Sequence, residues 1–361
     1  MLRAYDRPGG IGIYSQNILK YLLQIDQAND YLLIYNNQKN VGKYSHLENV
    51  DEIYLPSANP TIWDQILVPR IIKKYDLDLV FHTKFTVPLL SGIKKVMTVH
   101  GASWLVHPEI YNSLDVLFEN VAMRLYCRAA DFLIANSKLT QDDYMRTLNV
   151  PKEKIGIVHF AAGEAFRPIH DPNSLKLVSS KYQLPETFIL CVMSYDPNKN
   201  FDTIIKTFDI CHKETDAELV VVGKDCIKFW DKYSVRFKKL KNVIHFLGWV
   251  EQEDLPAVYS KAKVFFYPSI FETFGIPILE AMACGCPVVA SNTGAIPEIS
   301  NGAALMTAPF NYRMFAEHIQ NVFHTDLVSK DLKRKGLTVS KTYSWLNAAK
   351  QTLNILERIE Q

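Results

Sequence analysis

Short runs of consecutive apolar residues alternate with longer amphipathic segments along the whole chain, a pattern that predicts strands separated by helices. In the first half such runs fall at Tyr31 to Tyr35, Glu52 to Leu55, Leu79 to His82, Val96 to His100, Phe132 to Asn136 and Ile155 to Phe160. Helical periodicity occupies Ile13 to Gln24, Trp63 to Lys74, Leu114 to Ala130 and Thr140 to Leu148. The second half repeats the alternation with runs at Phe188 to Met193, Glu218 to Val222, Val243 to Leu247, Val264 to Tyr267, Pro287 to Ala290 and Ala304 to Thr307. A final helical stretch covers Ser344 to Ile359. Strands alternating with helices in this way belong to parallel sheets, so the expected class is α/β. Ala161 to Pro185 contains Gly163, Pro168, Pro172 and Pro185 with little periodicity, which places a hinge there. The expected organisation is a domain over 1–167, a second over 168–342 and a terminal helix over 343–361.

The beginning of the chain departs from this regularity. Arg7-Pro8-Gly9-Gly10-Ile11-Gly12-Ile13-Tyr14 has the composition of a glycine turn opening a helix, yet Met1 to Asp6 is all that precedes it. The first strand is therefore expected to be a stub over Leu2 to Tyr5 or to be missing, leaving a gap in the first sheet. A dinucleotide fingerprint would need a third glycine where Ser15 stands and a full strand ahead of the turn, so an NAD site is not favoured. Gly10 and Gly12 suit close approach of phosphate or acceptor to a helix start.

Length and composition narrow the class without naming a chemistry. A chain of 361 residues that is 48% hydrophobic can fill two cores. No apolar run approaches the roughly eighteen residues that span a bilayer. No signal-peptide pattern opens the chain, so a cytoplasmic location is expected. The six cysteines, Cys127, Cys191, Cys211, Cys226, Cys284 and Cys286, lack paired C-x-x-C spacing and are expected as buried thiols. A net charge of +2, without a basic and aromatic stripe, gives no support to a nucleic-acid partner.

The densest chemistry lies between Ser269 and Val289. Pro268 ends the run Val264 to Tyr267, Gly275 permits a positive φ, and Pro277 suits the first position of a helix expected to run to Ala283. Such a helix start offers unpaired N–H groups and the positive end of a dipole, an arrangement suited to an anion. Glu272 precedes the turn and Glu280 is expected in the first helical turn. Carboxylates accept paired hydroxyls, so the set suits a ligand with vicinal hydroxyls on either side of a phosphate, the shape of a nucleotide-sugar. The plainer alternative makes Glu280 a complement to the dipole and Glu272 a solvated loop charge.

Glu272-Thr273-Phe274-Gly275, with Glu280 eight residues after Glu272 and Ala281-Met282-Ala283-Cys284-Gly285-Cys286-Pro287-Val288-Val289 following, resembles the glutamate-seven-glutamate signature of group 1 retaining glycosyltransferases. The resemblance implies GT-B architecture, two facing Rossmann-like domains with the active site in the interdomain cleft. It implies that Glu272 contacts the transferred sugar, that Glu280 contacts the nucleotide ribose, and that the amides of Phe274, Gly275, Ile276, Pro277 and Ile278 surround sugar hydroxyls and diphosphate. His100, closing the run Lys95 to Val99, matches the family's histidine near the sugar. Lys199 in Tyr195-Asp196-Pro197-Asn198-Lys199-Asn200 matches the lysine that faces the diphosphate. Many members carry arginine five residues earlier, where this chain has Ser194, so Lys224 is a candidate substitute cation. Gly248-Trp249-Val250 resembles the loop bordering the base, with Gly248 and Val250 as donor contacts. Gly10 and Gly12 are counted with the donor site, and the terminal helix is expected to return to the first domain. Gly294 resembles a cleft loop, although turn chemistry alone accounts for it.

Two further segments are weighed for function. Asp76-Leu77-Asp78 mimics an acidic metal triplet but precedes its strand, so it is taken as a solvated turn and no metal is implied. Trp63, Ile66, Leu67, Ile71 and Ile72, with Arg70, Lys73 and Lys74, form either a core-packing helix or a face for peripheral membrane contact. The resulting expectation is a metal-independent, retaining hexosyltransferase. It moves mannose or glucose from GDP-mannose or a UDP-sugar to a hydroxyl of a glycan or lipid-linked saccharide, and needs no cofactor. The alternatives are a nucleotide-sugar-binding protein of weak activity and a GT-B epimerase or hydrolase.

Overall fold

The computed structural model describes residues 1–6, 9–106, 108 and 112–361, except for the side chains of 114 and 115. Arg7 and Pro8 of the glycine turn thus lie outside the described residues. The chain forms two compact units, Met1–Phe160 with Ser344–Gln361, and Ala161–Tyr343. The division comes earlier than the expected boundary at 167/168. The reason is local packing: Phe160 lies against Tyr14 and Trp345, whereas Phe166 sits edge-on to Tyr259 in the second unit's core.

In the first unit, β1 (Tyr31–Tyr35) pairs with β2 (Val50–Tyr54). A separate four-stranded sheet has the order of β3 (Leu79–His82), β4 (Lys94–Val99), β5 (Phe132–Ala135) and β6 (Ile155–Ile157). All these pairings are parallel. Between β1 and β3 the expected stub is shorter than Leu2 to Tyr5. The Met1 amine donates to the Phe81 carbonyl (2.8 Å) and the Leu2 N–H to the Ile34 carbonyl (3.0 Å), after which the chain turns away. A cavity of about 130 Å³ lined by Ile18, Leu22, Ile34 and Val80 remains beside them.

The helix Gly10–Ile25 buries Tyr14, Ile18 and Leu22 and lies against the helix Trp345–Glu360. The segment weighed for membrane contact packs into the core through Trp63 and Ile72, while Ile66 stays exposed. Trp63 is fully buried with its indole N–H on the Leu55 carbonyl (2.8 Å), and Ile72 joins Val68, Ile34 and Val80 in one cluster. Its turn over Trp63–Leu67 widens to π geometry immediately before Pro69, which has no N–H to continue an α-helical ladder. Asp76 and Asp78 are exposed ahead of β3, Asp76 with φ 51°.

The second unit contains β7 (Phe188–Val192), β8 (Glu218–Val222), β9 (Ile244–Gly248), β10 (Val264–Tyr267), β11 (Val288–Ser291) and β12 (Ala304–Thr307). They form one parallel sheet in the order β12-β11-β10-β7-β8-β9. Both faces are covered, which is why its strands are continuous apolar runs. Phe188, Leu190 and Phe265 enter one core, and Ile189, Cys191 and Phe266 the other. All six cysteines are buried free thiols. Strand order reverses between β7 and β10, and in such sheets ligands gather beyond the carboxyl ends at that point.

Trp345 is 2% exposed, and its ring stacks on Phe160 with centroids 5.8 Å apart. Trp345→Ala should destabilise the first unit by about 3–5 kcal/mol in urea unfolding of the whole chain. A change below about 1 kcal/mol would show that the terminal helix contributes little there.

Candidate active site

The chain leaving β7 makes a tight 3-10 turn, Pro197–Lys199, whose start is capped by the Asp196 carboxylate accepting from the Asn198 N–H (2.9 Å). Asn198 then fastens this turn to the loop after β10. Its side-chain oxygen accepts from Phe271 N–H (3.0 Å), and its carbonyl accepts from Ile270 N–H (2.8 Å). Asn200, in the left-handed region at φ 57°, donates its amide to the carbonyls of Pro268 (2.9 Å) and Pro309 (2.7 Å). The two loops therefore behave as one piece of backbone.

Within that frame three side chains converge. The Lys199 ammonium lies 2.5 Å from Glu272 Oε1 and 3.0 Å from the Tyr267 hydroxyl, which itself donates to Glu272 Oε1 at 2.8 Å. Burial alone would lower the lysine's pKa. The Glu272 carboxylate and the Tyr267 oxygen outweigh it, and the net shift is upward, so Lys199 stays charged. Burial and the same carboxylate raise the Tyr267 pKa, which keeps its proton on the hydroxyl.

Glu272 is also fixed from behind. Ala295 N–H donates to the Glu272 carbonyl (2.8 Å), and Gly294, at φ 60°, lies so close that a Cβ would sit 2.2 Å from that carbonyl oxygen. Turn chemistry alone thus understates Gly294, whose lack of a side chain lets the β11 loop support Glu272.

Three residues after Glu272 the backbone reverses through Gly275, at φ 99°, into the helix Ile276–Ala283. The helix begins one residue before Pro277, and Ile278 N–H donates to the Gly275 carbonyl (3.0 Å). Pro277 has no N–H to offer, so the donors at this helix end come from Gly275 and Ile276, ahead of any intrahelical acceptor. The side chains of Phe274, Ile276 and Ile278 are buried and hold the turn in place. Glu280 is the fifth residue of this helix and lies beyond its first turn, contrary to expectation, because the helix starts at Ile276. It is 5% exposed and accepts from the Tyr259 hydroxyl (3.0 Å). Burial pushes its carboxyl up to about 7, against a smaller opposing effect of that hydrogen bond.

The remaining second-unit candidates are more open. Ser194 and Lys224 are exposed. Gly223, at φ 141°, passes against Met193, where a Cβ would come within 1.6 Å of the carbonyl oxygen, and donates to the Gly248 carbonyl (2.7 Å). Gly248 has φ 68°, Trp249 is exposed, and the Val250 side chain enters the core.

In the first unit, Gly10 and Gly12 open the helix Gly10–Ile25, with Gly12 N–H on the Gly9 carbonyl (3.1 Å). His100 follows β4. Its Nε2 lies 2.8 Å from the Thr83 carbonyl, which can only accept, so that nitrogen carries the proton. Its ring meets Tyr14 and Phe160. Among the described residues no group of three or more His, Cys, Asp and Glu is arranged to hold a metal, and no helix is long and apolar enough to cross a membrane.

Tyr267, Tyr259 and the backbone role of Gly294 are missed by sequence reasoning. A hydroxyl-bearing residue at the exit of an apolar strand was a usable signal for Tyr267. Nothing in the spacing joins Tyr259 to Glu280.

Residues 178–338 match the family model described as glycosyl transferases group 1, and residues 8–160 match that of glycosyltransferase family 4. The chain belongs to the group 1 glycosyltransferases. It is 26% identical over 366 positions to the O-antigen chain mannosyltransferase B of Escherichia coli, covering 96% of this chain and 95% of that one. Its architecture is GT-B, as in two similar solved structures. One is Anabaena HepE in complex with UDP and glucose (TM-score 0.76, 19% identity, 97% of this chain and 96% of that one). The other is WaaG, a glycosyltransferase involved in lipopolysaccharide biosynthesis (TM-score 0.76, 15% identity, 96% of each chain).

Two tests follow from this glycosyltransferase's geometry. Gly294→Ala should push the Glu272 backbone aside and lower transferase activity at least tenfold while the fold persists, checked by kinetics beside circular dichroism; unchanged kinetics would show that the loop absorbs a methyl freely. The second concerns pH. Glu280 titrates near 4.5 unfolded and about 7 folded, so the folded state binds more protons between those values. Stability should therefore fall by up to about 3 kcal/mol as pH rises through that window and level off above it. Urea unfolding of Glu280→Gln should lack that component of the slope.

Proposed function

We propose that this glycosyltransferase is a retaining hexosyltransferase. It moves a mannose- or glucose-type hexose from a nucleotide diphosphate sugar to a hydroxyl of a growing glycan or lipid-linked saccharide. The observation that carries the reading is the buried Lys199–Glu272–Tyr267 cluster in the loops ahead of the Ile276–Ala283 helix start. In this reading the diphosphate displaces part of Glu272's hold on the Lys199 ammonium and takes the N–H groups of Gly275 and Ile276. Glu272, released, accepts hydroxyls of the transferred sugar, and the half-protonated Glu280 accepts from and donates to the ribose hydroxyls.

When the bond from the anomeric carbon to the diphosphate oxygen breaks, the electron pair stays on the diphosphate. Lys199 and the helix end hold the charge that develops, so no metal is required in this scheme. The acceptor oxygen forms the new bond, and its proton leaves for solvent or the departing phosphate. His100, beside Gly10 and Gly12 in the sequence-derived set, is assigned to sugar handling. The donor is proposed as GDP-mannose, supported by the relative named a mannosyltransferase, with UDP-glucose second, supported by the neighbour solved with UDP and glucose.

The test is transfer from each donor to glycan acceptors, with the product's anomeric configuration read by NMR. Retention of the donor's configuration is expected, with Lys199→Ala lowering turnover about a hundredfold or more at intact fold. Inverted product would overturn the retaining mechanism. Donor binding without transfer to any acceptor would favour a sugar-nucleotide-binding protein, and free or epimerised sugar made without acceptor a hydrolase or epimerase.

A further inference from the structure

Strands β5 and β6 begin side by side in the first unit, and two helices end beside them. Phe132 opens β5 and Lys154 immediately precedes β6, while Arg128 lies in the last turn of the helix Ser113–Ala129 and Arg358 in that of the helix Trp345–Glu360. Together they line a cavity of about 440 Å³. That volume falls within the range of about 300–1,000 Å³ usual for small-molecule pockets. The strands are parallel and His100 follows the carboxyl end of β4, so the cavity occupies the opposite edge of the same sheet. It contains none of the residues assigned to transfer.

Charge on its wall is left unneutralised. Arg128, Lys154 and Arg358 share the lining with Asp131 and Glu153, yet none of the five forms an ion pair among the described residues. The Lys154 ammonium donates to the Arg128 carbonyl (3.0 Å), one of the carbonyls that a helix end leaves without an intrahelical partner. The Arg358 guanidinium lies 4.8 Å from the centre of the Phe132 ring, a contact that steadies the group without using its N–H donors. Asp131 accepts the Lys95 N–H (2.8 Å) through one carboxylate oxygen. Burial lowers the Lys154 pKa against the raising effect of Asp131, as expected of a cation short of an anion. The negative ends of two helices account for cations at this edge, but not for an open cavity of this size between them.

We propose that this cavity binds a phosphorylated monosaccharide. The phosphate meets Arg128, Lys154 and Arg358, because a guanidinium offers paired N–H donors that match phosphate oxygens and an ammonium adds a compact charge. The sugar hydroxyls donate to Asp131 and Glu153, whose ionised carboxylates can only accept. Pro151 and Ile359 supply carbon surface for the ring. A plain anion would meet the two carboxylates as well as the cations, and a plain sugar would leave the cations unmatched, so the mixed wall selects a ligand that carries both groups. Because the contacts come from the last turn of the Trp345–Glu360 helix and from the start of β6, the bound ligand ties the terminal helix to the first unit's sheet. No step of transfer depends on it, so this site stands or falls separately from the donor reading.

The test is isothermal titration calorimetry of the whole chain with glucose 6-phosphate, mannose 6-phosphate, glucose and inorganic phosphate. At least one of the two sugar phosphates is expected to bind, with glucose and inorganic phosphate weaker by about tenfold or more. Arg358→Gln and Lys154→Gln should each weaken that binding about tenfold at unchanged circular dichroism, and Lys199→Ala should leave it as it is. Binding of neither sugar phosphate, inorganic phosphate or glucose binding as tightly as they do, or binding that survives Arg358→Gln combined with Lys154→Gln would overturn the proposal. So would its loss in Lys199→Ala, since the ligand would then occupy the site at Glu272.

Discussion

Lys199 and Glu272 form an ion pair largely withdrawn from water, and the loops around it exist to make that pair tolerable. Two charges removed from water lose several kcal/mol of solvation each unless their partners are well placed. Here the Tyr267 hydroxyl bridges both, and the backbones that carry the charges are tied together through Asn198 and Asn200. Removing one charge would strand the other. An anionic ligand offering a second counter-ion would instead let the pair open without leaving either group alone, which is the property a diphosphate site needs.

That constraint reaches outward into the fold. The pair sits beyond the adjacent carboxyl ends of β7 and β10, where the strand order of the six-stranded sheet reverses. The neighbouring strand end at β11 contributes Gly294, whose bare Cα lets its loop press on Glu272, while Gly275, three residues after Glu272, turns the chain into a helix start. Glycines at these two points answer to different needs, close approach at Gly294 and a left-handed turn at Gly275. Glu280, buried one turn further along, is held uncharged or charged by a narrow margin near neutral pH.

Much of the fold was legible because a sheet covered on both faces leaves unbroken apolar runs such as Phe188 to Val192 and Val264 to Tyr267. The turn chemistry of Gly275 and Pro277 likewise announced a helix start to within a residue. What escaped was decided by distant partners. Tyr259 reaches Glu280 across 21 positions, Lys199 reaches Glu272 across 73, and no local pattern encodes either pairing. Amphipathic periodicity also left open which faces are exposed. Trp63 and Ile72 fill a core, whereas Leu117, Phe118, Val121 and Leu125 face outward, because periodicity gives the angle between side chains and not which side the rest of the unit covers. At the start of the chain, the short run before the glycine turn did indicate a thin place between β1 and β3, where Met1 and Leu2 now make one hydrogen bond to each.

The most direct test is a crystal structure of the chain with a nucleoside diphosphate bound. The account predicts phosphate oxygens about 3 Å from the Lys199 ammonium and from the N–H groups of Gly275 and Ile276, with the Lys199–Glu272 contact lengthened. A diphosphate bound elsewhere in the second unit, with that ion pair still closed, would contradict it.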